Sequence, residues 1–81
     1  MLTELEHGSK VVGLKQSRRA ISGGQARTVF LAEDASRSIL EEMEMLCRQN
    51  DVPLEYVPTM RQLGRVCGLS VGSAVAVAMK N

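Results

Sequence analysis

The sequence predicts an α/β fold, a three-layer α/β/α sandwich with a mixed central sheet of about four strands. Three observations carry this. Segments with helical spacing of apolar residues alternate along the chain with short β-branched runs, as expected when helices cover both faces of a parallel or mixed sheet. Residues 27–32, Arg-Thr-Val-Phe-Leu-Ala, form an apolar run suited to a strand covered on both faces, and therefore central. Near the end, Val75, Val77 and Met79 alternate with Ala74, Ala76 and Ala78, so this strand has a bulky face and a small face against which helices can pack closely.

The elements follow in order. Leu2 to His7 is a short amphipathic opening segment, and Val11-Val12 a brief strand. Gly13 opens a helix whose Lys15, Arg18 and Arg19 stand at i, i+3 and i+4 on one face, while Leu14, Ser17 or Arg18, and Ile21 run along another. Ser22-Gly23-Gly24 stops it. After the 27–32 strand, Ile39, Leu40, Met43, Leu46 and Cys47 recur with the spacing of a core-facing amphipathic helix. Ser38 and Glu41 have capping-box spacing, and Ser36 or Asp34 would serve equally as its cap. Val52 to Val57 reads as another strand, ended by Pro58, with Pro53 marking an end whose N–H side is not hydrogen-bonded. Thr59-Met60-Arg61-Gln62 is a second capping-box pattern, starting a short helix with Met60, Leu63, Val66 and Cys67 inward, Arg61 and Arg65 outward, and Gly68 as its stop.

With 81 residues, the chain is expected to form one domain, and 44% apolar with 23% charged residues is a globular composition. The longest apolar run, 74–79, is far shorter than the roughly 20 residues that span a membrane, and no signal peptide opens the chain, so the expected location is the cytoplasm. The net charge of +1 conceals an uneven distribution. Residues 1–32 carry five basic and two acidic side chains, residues 33–57 two and seven, and residues 58–81 three and none, or +3, −5 and +3. A fold that joins the first and last segments would have a basic face and an acidic back, which suits a polyanion.

Two glycine-rich basic turns then stand out, Gly13-Leu14-Lys15-Gln16-Ser17-Arg18-Arg19 and Leu63-Gly64-Arg65-Val66-Cys67-Gly68-Leu69-Ser70-Val71-Gly72. The first is the start of a helix, where unpaired N–H groups and the positive end of the dipole favour a phosphate. An ordinary solvated helix explains its three cations as well, so specificity must come from elsewhere in the chain. In α/β sheets ligands gather at the loops beyond one end of the strands, which would bring the loop after Val12 beside the loop after Gly68.

These residues resemble the small ribosomal proteins that bind kink-turn RNA, typified by the archaeal protein L-seven-Ae, and in particular its small bacterial members. The resemblance covers nearly the whole chain. It rests on Gly13 to Arg19, on Val29 to Asp34 (Val-Phe-Leu-Ala-Glu-Asp), on Leu46-Cys47, on Val52-Pro53 with Tyr56-Val57-Pro58, and on Leu63-Gly64 with Cys67 to Gly72. It implies the same three-layer fold and a partner RNA sharply bent at tandem sheared G·A pairs. On that resemblance, Gly13 and Leu14 match the backbone that meets RNA, and Arg19 matches a phosphate-contacting lysine. Leu69, Ser70 and Val71 match the apolar loop that covers the bulged nucleotides. The guanine-reading pair, usually Asn-Glu, is here Lys15-Gln16, as in the small bacterial members. The lysine can donate to guanine O6 and N7, and the glutamine carbonyl can accept from N1 or N2. Arg61 stands beside Met60, where many members have lysine, and Ser36 stands where an acid that binds a nucleotide is often found. The expected RNA site is thus made up of Gly13, Leu14, Lys15, Gln16, Arg18, Arg19, Arg61, Leu69, Ser70 and Val71.

Other chemistry is not indicated. Cys47 and Cys67 lack CxxC spacing and fall on apolar helix faces, so both are expected to be buried, reduced thiols. His7 stands alone near a terminus, and Glu33-Asp34 reads as a strand end followed by a helix cap. Gly64, Gly68 and Gly72 do not make a P-loop, and no GxGxxG motif opens a helix after a strand. Phe30 and Tyr56, both expected to be buried in strands, offer no platform for stacking single-stranded bases. The expectation is a non-enzymatic monomer without metal, cofactor or small-molecule substrate. Its partner would be structured RNA with a kink-turn, ribosomal or ribosome-associated. The alternative is a protein-interaction adaptor on the same fold that has lost specific RNA binding.

Overall fold

The alternation of alanine with larger side chains at 74–79 lets one strand sit between two helical layers. In the computed structural model, which describes residues 3–80, the elements run in the order α1 (Thr3–His7), β1 (Lys10–Val12), α2 (Leu14–Ser22), β2 (Ala26–Ala32), α3 (Arg37–Gln49), β3 (Leu54–Val57), α4 (Met60–Val66) and β4 (Val75–Met79). Leu2, the start of the expected opening segment, lies outside the described residues. The strands form one mixed sheet in the order β1-β4-β2-β3. The strand β4 pairs antiparallel with β1 and β2, and β3 is parallel to β2.

Each face of the sheet has its own core. Val29, Leu31, Val75 and Val77 pack with Ala20 and Ile21 of α2 and with Met43 and Cys47 of α3. On the other face Phe30, Ala32, Ala76 and Ala78 pack with Leu5 of α1 and with Leu63 and Cys67 at α4. The bulky side of β4 thus meets α2 and α3, and the alanine side lets α1 and α4 approach. The three-layer sandwich expected from the sequence is the fold observed, with β2 interior and almost wholly buried.

Local signals account for most element ends. Gly23 and Gly24 (φ +74°) close α2, and Thr59 caps α4, its Oγ1 accepting from the Gln62 N–H at 3.0 Å. For α3 the structure selects among the possible caps. Ser36, in an extended conformation, accepts from the Ile39 N–H, whereas Ser38 already lies in the first turn. Asp34 does something else: its Oδ1 accepts from the Met60 N–H at 2.8 Å, joining the end of β2 to the start of α4.

Two expectations need correction. The strand expected from Val52 begins at Leu54; before it, the Pro53 carbonyl still accepts from the Val29 N–H at 2.9 Å. Tyr56, expected to be buried, is 48% exposed. As an edge strand, β3 is covered on one side only by β2, and its pattern leaves Val57 as its one buried residue. The Tyr56 hydroxyl donates to Glu44 of α3, and that hydrogen bond raises the tyrosine's pKa.

Both cysteines are buried free thiols. Burial pushes Cys47 up to about 11 and Cys67 in the same direction, so both stay protonated at neutral pH, as expected of structural thiols. Among the described residues, no helix is long and apolar enough to cross a membrane, and no cluster of three His, Cys, Asp or Glu side chains is placed to hold a metal ion.

Candidate nucleic-acid interface

The strand directions decide which loops meet. With β4 antiparallel to both β1 and β2, and β3 parallel to β2, the ends of β1, β2 and β3 and the beginning of β4 share one end of the sheet. Two hydrogen bonds fix the junction. The Gly13 N–H donates to the Val75 carbonyl at 3.1 Å, and the Ala32 N–H donates to the Ala74 carbonyl at 2.9 Å. The start of α2 and the segment leading into β4 are therefore neighbours, although Gly13 and Val75 lie at opposite ends of the chain.

At the first turn, Gly13 has φ +99° and ψ 160°, a conformation that L side chains rarely adopt. Its carbonyl accepts from the Ser17 N–H at 3.0 Å, and no side chain caps the helix. The first amides of α2 are thus left for an outside acceptor at the positive end of the dipole. Leu14 packs against the core beside α2 and α3, while Lys15, Gln16, Arg18 and Arg19 are exposed. Of Ser17 and Arg18, it is Ser17 that faces inward. It is fully buried, and its Oγ has no hydrogen-bond partner among the described residues.

The cations on α2 are not equivalent. Arg18 makes a two-pronged contact with Glu42 of α3, through Nε to Oε2 and through Nη2 to Oε1 at 2.9 Å. This hydrogen bond holds the Glu42 carboxyl below the usual range. Among the described residues neither Lys15 nor Arg19 has a carboxylate partner. The basic face is therefore narrower than the sequence suggests, and acidic groups come close to it: Glu42 flanks α2, and the exposed Glu33 and Asp34 lie at the same end of the sheet.

The second turn is apolar and shaped by its backbone. Gly68 (φ +82°) ends α4, and the chain returns along that helix. The Leu69 N–H donates to the Gly64 carbonyl at 2.9 Å and the Ser73 N–H to the Met60 carbonyl at 2.9 Å, and the buried Ser73 hydroxyl donates to the Val75 carbonyl at 2.8 Å. The segment thereby presents Leu69, 39% exposed, Ser70, and Val71, 68% exposed. Arg61 and Arg65 are exposed on α4 and Met60 is half-buried.

All ten residues expected at the site thus lie at the Gly13 cap of α2, on α2 itself, on α4 or on the segment between α4 and β4, the strand whose first residue bonds Gly13. Sequence reasoning missed Asp34 and Ser73, which hold these pieces together. Asp34 serves Met60, 26 positions away, and the Ser73 N–H reaches back to the Met60 carbonyl, contacts that no local spacing signals; the Ser73 hydroxyl itself bonds two residues on, to the Val75 carbonyl. A different character marks the α3–β3 flank, where a shallow cavity of about 420 Å³ is lined by Glu33, Leu40 and Tyr56. Its carboxylate-bearing rim disfavours a polyanion.

The model of the ribosomal protein L7Ae/L30e/S12e/Gadd45 family matches residues 2–81. An RNA-binding protein of Geobacillus sp. (strain WCH70) is 37% identical over 76 residues, 94% of this chain and 93% of that one. The RNA-binding protein YbxF of Geobacillus stearothermophilus is 36% identical over 76 residues, with the same coverage of 94% and 93%. Among solved structures, the Giardia lamblia 15.5kD RNA binding protein superposes with a TM-score of 0.90 at 27% identity, over 99% of this chain and 71% of that one.

Proposed function

The chain belongs to the ribosomal protein L7Ae/L30e/S12e/Gadd45 family, and on that premise we propose that it is a non-enzymatic RNA-binding protein that recognises and stabilises kink-turn RNA, with residues 1–81 acting as one binding domain. The observation that carries this reading is the hydrogen bond from the Gly13 N–H to the Val75 carbonyl. It ties the cationic, uncapped helix start to the first residue of β4, the strand into which the exposed apolar loop leads, and a sharply bent RNA offers complements to both: a crowded phosphate backbone, and bases out of the stack at the bulge.

Each residue then has a task. The amides at the start of α2 donate to a phosphate held close to Gly13 and Leu14. Lys15 donates to guanine O6 and N7, and the Gln16 carbonyl accepts from guanine N1 or N2 in the tandem G·A pairs. A neutral glutamine supplies no charge-assisted bond, which costs about 1 kcal/mol against a carboxylate. Arg19 pairs with a phosphate, and Arg61 extends the cationic surface from α4. Leu69, Ser70 and Val71 cover the bulged nucleotides by shape and apolar contact. Arg18, tethered to Glu42, contributes at the rim. Because these contacts complement only the bent conformer, binding draws the RNA toward the kinked state.

Ribosomal or ribosome-associated RNA in the cytoplasm is the proposed partner, bound by a monomer. The test is a titration of labelled kink-turn RNA at two salt concentrations, beside an RNA whose tandem G·A pairs are replaced by Watson–Crick pairs. Tight binding that the control loses is the expected result. Equal, salt-sensitive binding to both would reduce the function to nonspecific polyanion affinity, and absence of binding would favour a protein-interaction adaptor on the same fold.

A further inference from the structure

We propose that Gly64 is a positioning residue of the interface: by lacking a side chain it lets the chain at Val71 and Gly72 lie directly on α4, so that Leu69, Ser70 and Val71 form a preformed apolar wedge. The inference rests on the RNA-binding reading above. A Cβ placed at Gly64 would stand 2.0 Å from the Val71 carbonyl oxygen and 3.0 Å from both the Val71 carbonyl carbon and the Gly72 Cα. These are backbone atoms, which cannot rotate away as the end of a flexible side chain can. Any other residue must therefore push the segment off the helix.

Backbone conformation does not explain this glycine. Gly64 is in the middle of α4 and is not among the positive-φ glycines, which are Gly13, Gly24 and Gly68. Glycine inside a helix costs about 1 kcal/mol relative to alanine, so space is what the position requires. The contact has a counterpart at Gly72, where a Cβ would stand 3.2 Å from the carbonyl carbon, Cβ and carbonyl oxygen of Met60. Hydrogen bonds close both ends of this packed stretch, Leu69 to Gly64 and Ser73 to Met60, and Asp34 fixes Met60 in turn. Two exposed apolar side chains are thus mounted on a backbone already held in place, which lowers the ordering cost of binding.

A double-mutant cycle in the full chain tests this, combining Gly64→Ala with the pair Leu69→Ala and Val71→Ala and reading affinity for kink-turn RNA, with circular dichroism to check folding. Expected is a loss of about tenfold or more from Gly64→Ala alone, but about twofold or less once the two loop side chains are absent, because the glycine acts through them. The dependence of affinity on salt should not change, since no phosphate contact is removed. Equal losses in both backgrounds, or none in either, would overturn the proposal. Should Gly64→Ala fail to fold, Gly72→Ala replaces it in the cycle, with the same two outcomes deciding. A wild-type protein that does not distinguish the kink-turn from its control would instead overturn the RNA-binding reading itself, and this inference with it.

Discussion

The two turns at the interface reach their positions by opposite means. The turn from Gly13 to Arg19 is built locally: a glycine with φ +99° ends a strand, a helix begins within one residue, and helical spacing distributes Lys15 and Arg19 over the exposed side. The turn from Gly64 to Gly72 has little regular structure and no charge beyond Arg65. It is placed by contact with α4, by the carbonyls of Gly64 and Met60, and by the entry to β4. Direction and charge come from the first, shape from the second. Their contributions to binding should therefore separate in sequence discrimination, salt dependence and sensitivity to packing.

The largest effect is expected from Lys15→Ala in the polar turn. Loss of a bidentate base contact worth about 1–3 kcal/mol should weaken binding to kink-turn RNA roughly ten- to hundredfold and narrow the gap to the control RNA. Replacing both Leu69 and Val71 by Ala breaks the apolar turn instead; at about 25 cal/mol per Å² of apolar area, affinity should fall roughly tenfold. Titration across salt concentrations should find its slope intact. Arg19→Ala tests the opposite signature, with a smaller loss and a logarithmic salt slope that becomes shallower by about 0.7–0.9, as for one phosphate contact. If the loop variant changes the slope and Arg19→Ala does not, the division of labour between the turns is wrong. The smallest effect sharpens the comparison within α2. Glu42→Gln releases Arg18 from its ion pair, so binding should tighten by a few-fold and the slope should steepen by less than about one.

How much of each turn could be read from the sequence follows from the same contrast. Gly13 as a helix opener, Gly23-Gly24 as a stop and Thr59 with Gln62 as a cap were legible because their hydrogen bonds span no more than about one helical turn. Arg18 appeared in the sequence as one of three equivalent cations. Its partner Glu42 is 24 positions away on α3, and only the packing of α2 beside α3 brings the two together. Tyr56 misled for a related reason: an aromatic residue in a short apolar run is usually buried, but β3 lies at the sheet edge and the hydroxyl reaches Glu44. Asp34 had been one of three candidate caps for the following helix. It serves a helix much further along the chain.

The sequence by itself determined what local forces control: the alternation of helices and strands, the central position of residues 27–32, the two-faced character of the last strand, and a family pattern that marks both turns. Spacing fixes the first three, because helical and strand periodicities are properties of a few neighbouring residues, and the fourth rests on the resemblance of whole motifs. Tertiary structure alone decided how the pieces bear on one another: which cation is spent on Glu42, which acid holds the start of α4, and why a helix tolerates glycine at position 64. The physical reason is the range of the interactions. The Arg18–Glu42 pair and the Asp34–Met60 hydrogen bond act over a few ångströms between residues 24 and 26 positions apart, the close contact at Gly64 joins a helix to the loop that folds back on it, and only the folded chain brings those residues within reach.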